Sequence, residues 1–204
     1  ISGTTAAQLM VLIAAPFISR LYAPDDFGLL ALFLSLSAIP KILSCMRYEM
    51  AIPLPTTRED ATGLFTLCIV FTLLVSAITA VILTFANTGI SRLLNEPGLK
   101  HLYVFIPFTV LLEGTTNTFT MWNNRQKAFG LIATSLFAGA FISTTWKISA
   151  GFWGEALTQS LIYATLAGQL ISALIFLFNA LHKGLEFPNL QNLPACPLHL
   201  SLSL

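Results

Sequence analysis

Residues 61–85 read ATGLFTLCIVFTLLVSAITAVILTF, and no Asp, Glu, Lys or Arg falls between Asp60 and Arg92. The hydrocarbon core of a bilayer is roughly 30 Å thick, and about 20 apolar helical residues cross it. This stretch meets that length without interruption. A membrane barrel strand would instead alternate apolar and polar residues over segments of about ten. The stretch therefore reads as a transmembrane helix over about Ala61–Phe85. Glu59 and Asp60 sit at its start, where the helix dipole favours negative charge, and Asn87-Thr88-Gly89 is expected to close it.

The same reading extends in both directions. Upstream lie spans over roughly Ile1–Ser19 and Phe27–Met46, holding Pro16 and Pro40; downstream lie Leu102–Asn123, Ala128–Trp146 and Ala156–Leu181. Asp25 or Asp26 is placed to cap the second span, and Tyr22 suits a headgroup region. Pro53 and Pro55 mark the loop before the third span. Pro16, Pro40 and Pro107 predict kinks. The fold class is all-α: a polytopic transmembrane bundle of six helices over residues 1–182. Residues 183–204 form a Pro-containing tail, read as irregular or disordered, with Pro188, Pro194 and Pro197. The chain opens on Ile1 rather than Met, which reads as a missing N-terminal piece more readily than as a cleaved signal peptide, because further spans follow.

Composition agrees with this class. Apolar residues make up 55% of the 204 residues and charged ones 9%, against about 45–50% and 25% in soluble domains. A formal net charge of +1 gives no basis for a nucleic-acid partner. Cys45, Cys68 and Cys196 form no CxxC, so neither a disulfide framework nor a metal site is expected. No Walker loop, HExxH, GxSxG or DDxxD box is present, and no cofactor is expected. Lys and Arg outside the spans divide five to four: Arg47, Arg58, Arg125, Lys127 and Lys183 on one side, Arg20, Arg92, Lys100 and Lys147 on the other. That bias places the N-terminus in the cytoplasm.

Glu113 falls near the middle of the fourth span. An ionisable group there is costly and must face protein, water or a partner. Thr109, Glu113, Asn117, Thr120 and Asn124 share one helical face, which points either into a polar cavity or into a seam gluing helices together. Lys41 either snorkels to the headgroups or lines a pathway for an anion. Arg47 and Glu49 form at most a weak pair at the membrane edge. Arg125 and Lys127 read as topology anchors, and Lys147 beside Trp146 as an interface anchor. Thr158, Thr165, Gln169 and Ser172 line one face of the sixth span, and Thr72, Ser76 and Thr79 one face of the third. Ala164 and Gly168 permit close packing.

Several segments together resemble a known family. Arg20-Leu21-Tyr22-Ala23-Pro24-Asp25-Asp26-Phe27-Gly28 is similar to the turn after the first helix of bacterial polysaccharide flippases, the O-antigen and exopolysaccharide transporters of the multidrug/oligosaccharidyl-lipid/polysaccharide (MOP) superfamily. Met46-Arg47-Tyr48-Glu49-Met50-Ala51-Ile52-Pro53-Leu54-Pro55 resembles the end of their second helix. Trp122 to Phe129, with Arg125-Gln126-Lys127, resembles the turn after the fourth, and Gly168-Gln169-Leu170 fits the sixth. The resemblance covers about residues 1–182.

This resemblance implies one lobe of a MATE/MOP-like transporter in a bacterial inner (cytoplasmic) membrane, multi-pass and without enzymatic chemistry. The substrate it implies is an oligosaccharide on an undecaprenyl pyrophosphate carrier, moved toward the periplasm for O-antigen or exopolysaccharide assembly. Family members pair two six-helix lobes around a lumen that is often cationic. The partners implied are the lipid bilayer, the lipid-linked oligosaccharide and a second six-helix lobe, supplied by a missing C-terminal half or by a second copy. Substrate-pathway candidates are Lys41, Arg47, Glu49, Glu113, Asn117, Thr120, Asn124, Arg125 and Gln169. Arg47 and Lys41 are expected to contact pyrophosphate or acidic sugar, and Glu113 to couple an ion or orient a basic partner. The alternatives are a cation-coupled multidrug extruder of the same superfamily and an inactive truncated half-transporter. A membrane glycosyl- or acyltransferase would have only His101 and Glu96 to draw on.

Overall fold

The computed structural model describes residues 2–45, 47–55, 57–94, 104–153 and 158–182. Six helices account for most of them: α1 (Ser2–Leu21), α2 (Pro24–Cys45), α3 (Arg58–Leu94), α4 (Phe105–Arg125), α5 (Phe129–Phe152) and α6 (Thr158–His182). A short 3₁₀ turn, Tyr48–Ala51, follows α2. Among the described residues there is no strand. Residues 183–204, His101 and Glu96 lie outside the described residues.

Five of these helices are long and apolar enough to cross a membrane. The exception is α4, which corrects the expectation of six apolar spans. It packs on α2, α3, α5, α6 and the 3₁₀ turn, so protein rather than lipid surrounds most of it. A helix in that position can carry Glu113, Asn117, Asn123, Asn124 and a row of threonines. The protein is thus a polytopic helical membrane bundle organised around α4. α5 also packs closely against α6 and α1.

Three boundaries differ from the sequence reading. α3 runs on through Asn87-Thr88-Gly89 to Leu94. A glycine within a helix costs about 1 kcal/mol, too little to end a helix whose backbone groups have no better partners. α5 continues past Lys147 to Phe152, so that lysine lies within the helix. Pro107 is the third residue of α4, a first-turn position where a missing N–H costs no helical bond, and it opens the helix instead of kinking it. Pro16 and Pro40 do sit inside α1 and α2.

Helix association in a membrane depends on close packing and on polar contacts between helices. The tightest crossing joins α5 to α6. A Cβ at Gly139 would lie 2.6 Å from the Gly168 carbonyl oxygen, and one at Gly168 would lie 2.6 Å from the Gly139 oxygen. Ser172 Oγ donates to the Ser135 carbonyl at 3.0 Å beside this crossing. On the other side of the bundle, a Cβ at Gly114 of α4 would meet Thr72 Cγ2 of α3 at 2.5 Å and Ser44 Oγ of α2 at 3.2 Å.

Two apolar clusters flank these crossings. One gathers Ile52, Ala61, Phe65, Cys68, Phe119, Trp122, Ile132, Phe176 and Ala180. Its rings make edge-to-face and stacked contacts: Phe65 with Phe119 at 5.2 Å, and Phe119 with Phe176 at 6.1 Å. Such pairs contribute about 0.5–1.5 kcal/mol each beyond area burial. The other gathers Phe33, Leu83, Ile106, Val110 and Ile162. They take residues from opposite halves of α3, α4 and α6, so they occupy opposite ends of the bundle.

The α1–α2 turn is stapled to α5 and α6. Tyr22 is buried, not exposed to headgroups; its hydroxyl donates to the Lys147 carbonyl at 2.8 Å and lies 3.2 Å from Ser160 Oγ. Thr158 Oγ1 donates to Asp26 Oδ1 at 2.6 Å. Asp25 and Asp26 both stand in the first turn of α2, where the sequence reading places one or the other as the cap, and Asp26 ties the start of α6.

Candidate functional site

The contact between Ser44, Gly114 and Thr72 sets the depth at which α2 ends. Ser44 is in the last turn of α2. Gly114 lies about 16 Å before the end of α4, and Thr72 about 21 Å after the start of α3, from a rise of 1.5 Å per residue. α2 therefore stops inside the bundle, well short of the level where its neighbours end. The 3₁₀ turn and the loop before α3 cover the remaining depth. Non-helical backbone at membrane depth persists only where protein or water satisfies its polar groups.

Arg125, at the end of α4, supplies part of that satisfaction. Its guanidinium donates to the carbonyls of Ile52 at 3.3 Å and Thr57 at 3.0 Å, and also to that of Pro55. The sequence reading had Arg125 as a topology anchor; the structure makes it the brace of the loop after the α2 break. The adjoining turn has a Schellman geometry. The N–H of Ala128 donates to Asn123 O at 2.9 Å, and that of Lys127 to Asn124 O at 3.0 Å. Lys127 there has a φ of 56°.

Arg47 stands at the break itself. Its φ is 61°, in the left-handed region, which costs a residue with a Cβ roughly 1–2 kcal/mol relative to glycine. Its side chain is exposed, with Nη2 3.9 Å from Met50 Sδ. No Arg47–Glu49 ion pair forms among the described residues; the left-handed turn directs Arg47 toward Met50. Glu49 is half-buried and one of its carboxylate oxygens, Oε2, is buried without a hydrogen-bond partner.

One turn before the end of α2, Lys41 faces α4. Its Nζ lies 2.5 Å from Glu113 Oε2, in the one ion pair among the described residues. Gln169, at the middle of α6, donates from Nε2 to the same Oε2 at 3.2 Å. Three helices thus bring a cation, an anion and an amide together between the two apolar clusters. The side chains of Lys41 and Glu113 keep 17% and 37% exposure.

The rest of the α4 face separates. Thr109 is buried and donates to Ile106 O at 2.8 Å, and Thr120 Oγ1 donates to Thr116 O at 2.7 Å. Asn117 and Asn124 are exposed. The structure therefore joins Lys41, Glu113 and Gln169, places Arg47 and Glu49 on the segment below the break, and gives Arg125 to the loop. Among the described residues no group of three or more His, Cys, Asp or Glu could hold a metal ion.

A bundle of apolar helices that holds a partly buried ion pair at mid-depth and breaks one helix beside it defines a multi-pass membrane protein with an internal polar site. The sequence profile of the polysaccharide biosynthesis protein family matches residues 17–191, and the chain belongs to that family. No curated protein and no solved structure matches it significantly.

Proposed function

We propose that the protein is the N-terminal half of a lipid-linked oligosaccharide flippase. On this reading it moves polysaccharide repeat units, attached to undecaprenyl pyrophosphate, across the bacterial inner membrane, and makes or breaks no covalent bond. What carries the reading is the Lys41–Glu113–Gln169 constellation at mid-depth, in a chain of the polysaccharide biosynthesis family. A polar site inside a membrane bundle marks a pathway.

Arg47 is the group for the pyrophosphate. Lys41 is already neutralised by Glu113, whereas Arg47 is exposed, uncompensated among the described residues and set at a helix break. A guanidinium binds phosphate oxygens in a bidentate fork. The multidrug alternative would draw cations to Glu113, the carboxylate at mid-depth, and Lys41 occupies it. The other half of the pathway is a second six-helix lobe.

Deletion of the gene tests the reading. Surface polysaccharide is expected to fall and lipid-linked repeat units to accumulate, with wild type restoring export and Arg47→Ala restoring little at equal membrane abundance. Full polysaccharide export in the deletion strain, with no accumulation, refutes the assignment.

A further inference from the structure

The hydrogen-bonding groups around Glu113 are not all used. Gln169 donates through Nε2, but its Oε1 is buried and has no partner. Thr116 Oγ1, one turn beyond Glu113 on the same face of α4, is also buried without a partner. An ammonium carries three donors, and the contact to Glu113 Oε2 accounts for one of those on Lys41. Buried polar groups in folded proteins are nearly always satisfied, and those left over ask for an explanation.

The unused groups are mixed in kind: an amide acceptor, a hydroxyl that both donates and accepts, and ammonium donors. The ionic charges beside them cancel. An inorganic cation would use only the acceptors and would face Lys41. A phosphate would use only the donors and would face Glu113. A hydroxyl offers a donor and acceptor lone pairs on one atom with no charge. Adjacent hydroxyls on one ring match the whole set.

We propose that Lys41, Glu113, Gln169 and Thr116 form a binding site for the hydroxyl groups of a sugar residue, separate from the pyrophosphate contact at Arg47. This inference rests on the flippase reading and deepens it: the site recognises the oligosaccharide, and Arg47 recognises the carrier. The carrier contact is common to every repeat unit, so selection among sugars falls to the α2–α4–α6 cluster.

The test uses the protein as encoded, in lipid nanodiscs, with two probes: undecaprenyl pyrophosphate carrying the producing organism's repeat unit, and bare undecaprenyl pyrophosphate. Wild type is expected to bind the sugar-bearing probe about tenfold more tightly or better, the discrimination that paired buried polar groups give. Gln169→Leu and the nearly isosteric Thr116→Val are each expected to bring that affinity down to the bare-carrier value, which they leave unchanged. If Gln169→Leu fails to fold, Thr116→Val carries the test, since its hydroxyl bonds to nothing in the fold. Equal binding of both probes by wild type overturns the sugar site alone. So does undiminished sugar binding in both variants, which would leave the unused groups to water, and so does an equal loss for both probes. Binding of neither probe by wild type overturns the flippase reading and this inference with it.

Discussion

Removing one partner of the Lys41–Glu113 pair should cost nearly as much as removing both. With Nζ and Oε2 2.5 Å apart, the charge centres are about 4 Å apart, worth about 4 kcal/mol at an effective dielectric of about 20. Glu113 keeps 37% of its side chain exposed, so solvent screening brings the coupling to about 2 kcal/mol. Lys41→Met strands a carboxylate at mid-depth, and Glu113→Gln strands an ammonium; each should destabilise by about 3 kcal/mol. The double variant removes both charges with little change of volume and should recover about 2 kcal/mol of the summed losses. Unfolding free energies in mixed micelles for wild type, both single variants and the double variant give the cycle. Additive losses, with the double variant as unstable as the two singles together, would refute the ion pair as a coupled unit.

Other substitutions separate folding from transport. Arg47→Gly relieves the left-handed strain and should stabilise the fold by up to about 1 kcal/mol while abolishing polysaccharide export; Arg47→Lys should keep part of the export, and export by Arg47→Gly at the wild-type level removes the anion contact. Lys127→Gly, at the other left-handed position, should raise stability by about 1 kcal/mol in a thermal melt and leave export unchanged. Gly139→Leu should part α5 from α6 and cost several kcal/mol, visible as loss of folded protein in the membrane; normal abundance contradicts the crossing. Arg125→Gln leaves carbonyls of the loop unpaired, so protease cleavage between Ile52 and Arg58 should accelerate, and an unchanged digestion rate would dismiss the brace.

The helical class was legible because a bilayer imposes one length and one composition on every span that faces it. That constraint weakens for a helix surrounded by protein, which is why α4 departs from the apolar pattern. Helix ends were less legible: Asn87-Thr88-Gly89 stops a helix in water, yet α3 continues through it. At the site, Glu113 announced itself as a charge in a span, and Gln169 lay on a polar face of α6. Their union with Lys41 was not readable, since it depends on α2 stopping level with Gly114. The braces made by Arg125 and Tyr22 join segments far apart in the chain to backbone carbonyls, and carbonyls carry no sequence signature.

The most direct measurement of the central claim is translocation itself. The protein as encoded, reconstituted in proteoliposomes with lipid-linked repeat units confined to one leaflet, should carry them to the other, where an impermeant glycosidase or lectin detects the sugar. Sugar is expected to cross at a rate above that of protein-free vesicles, and near background for Arg47→Ala. Crossing at the protein-free rate for wild type would contradict the account.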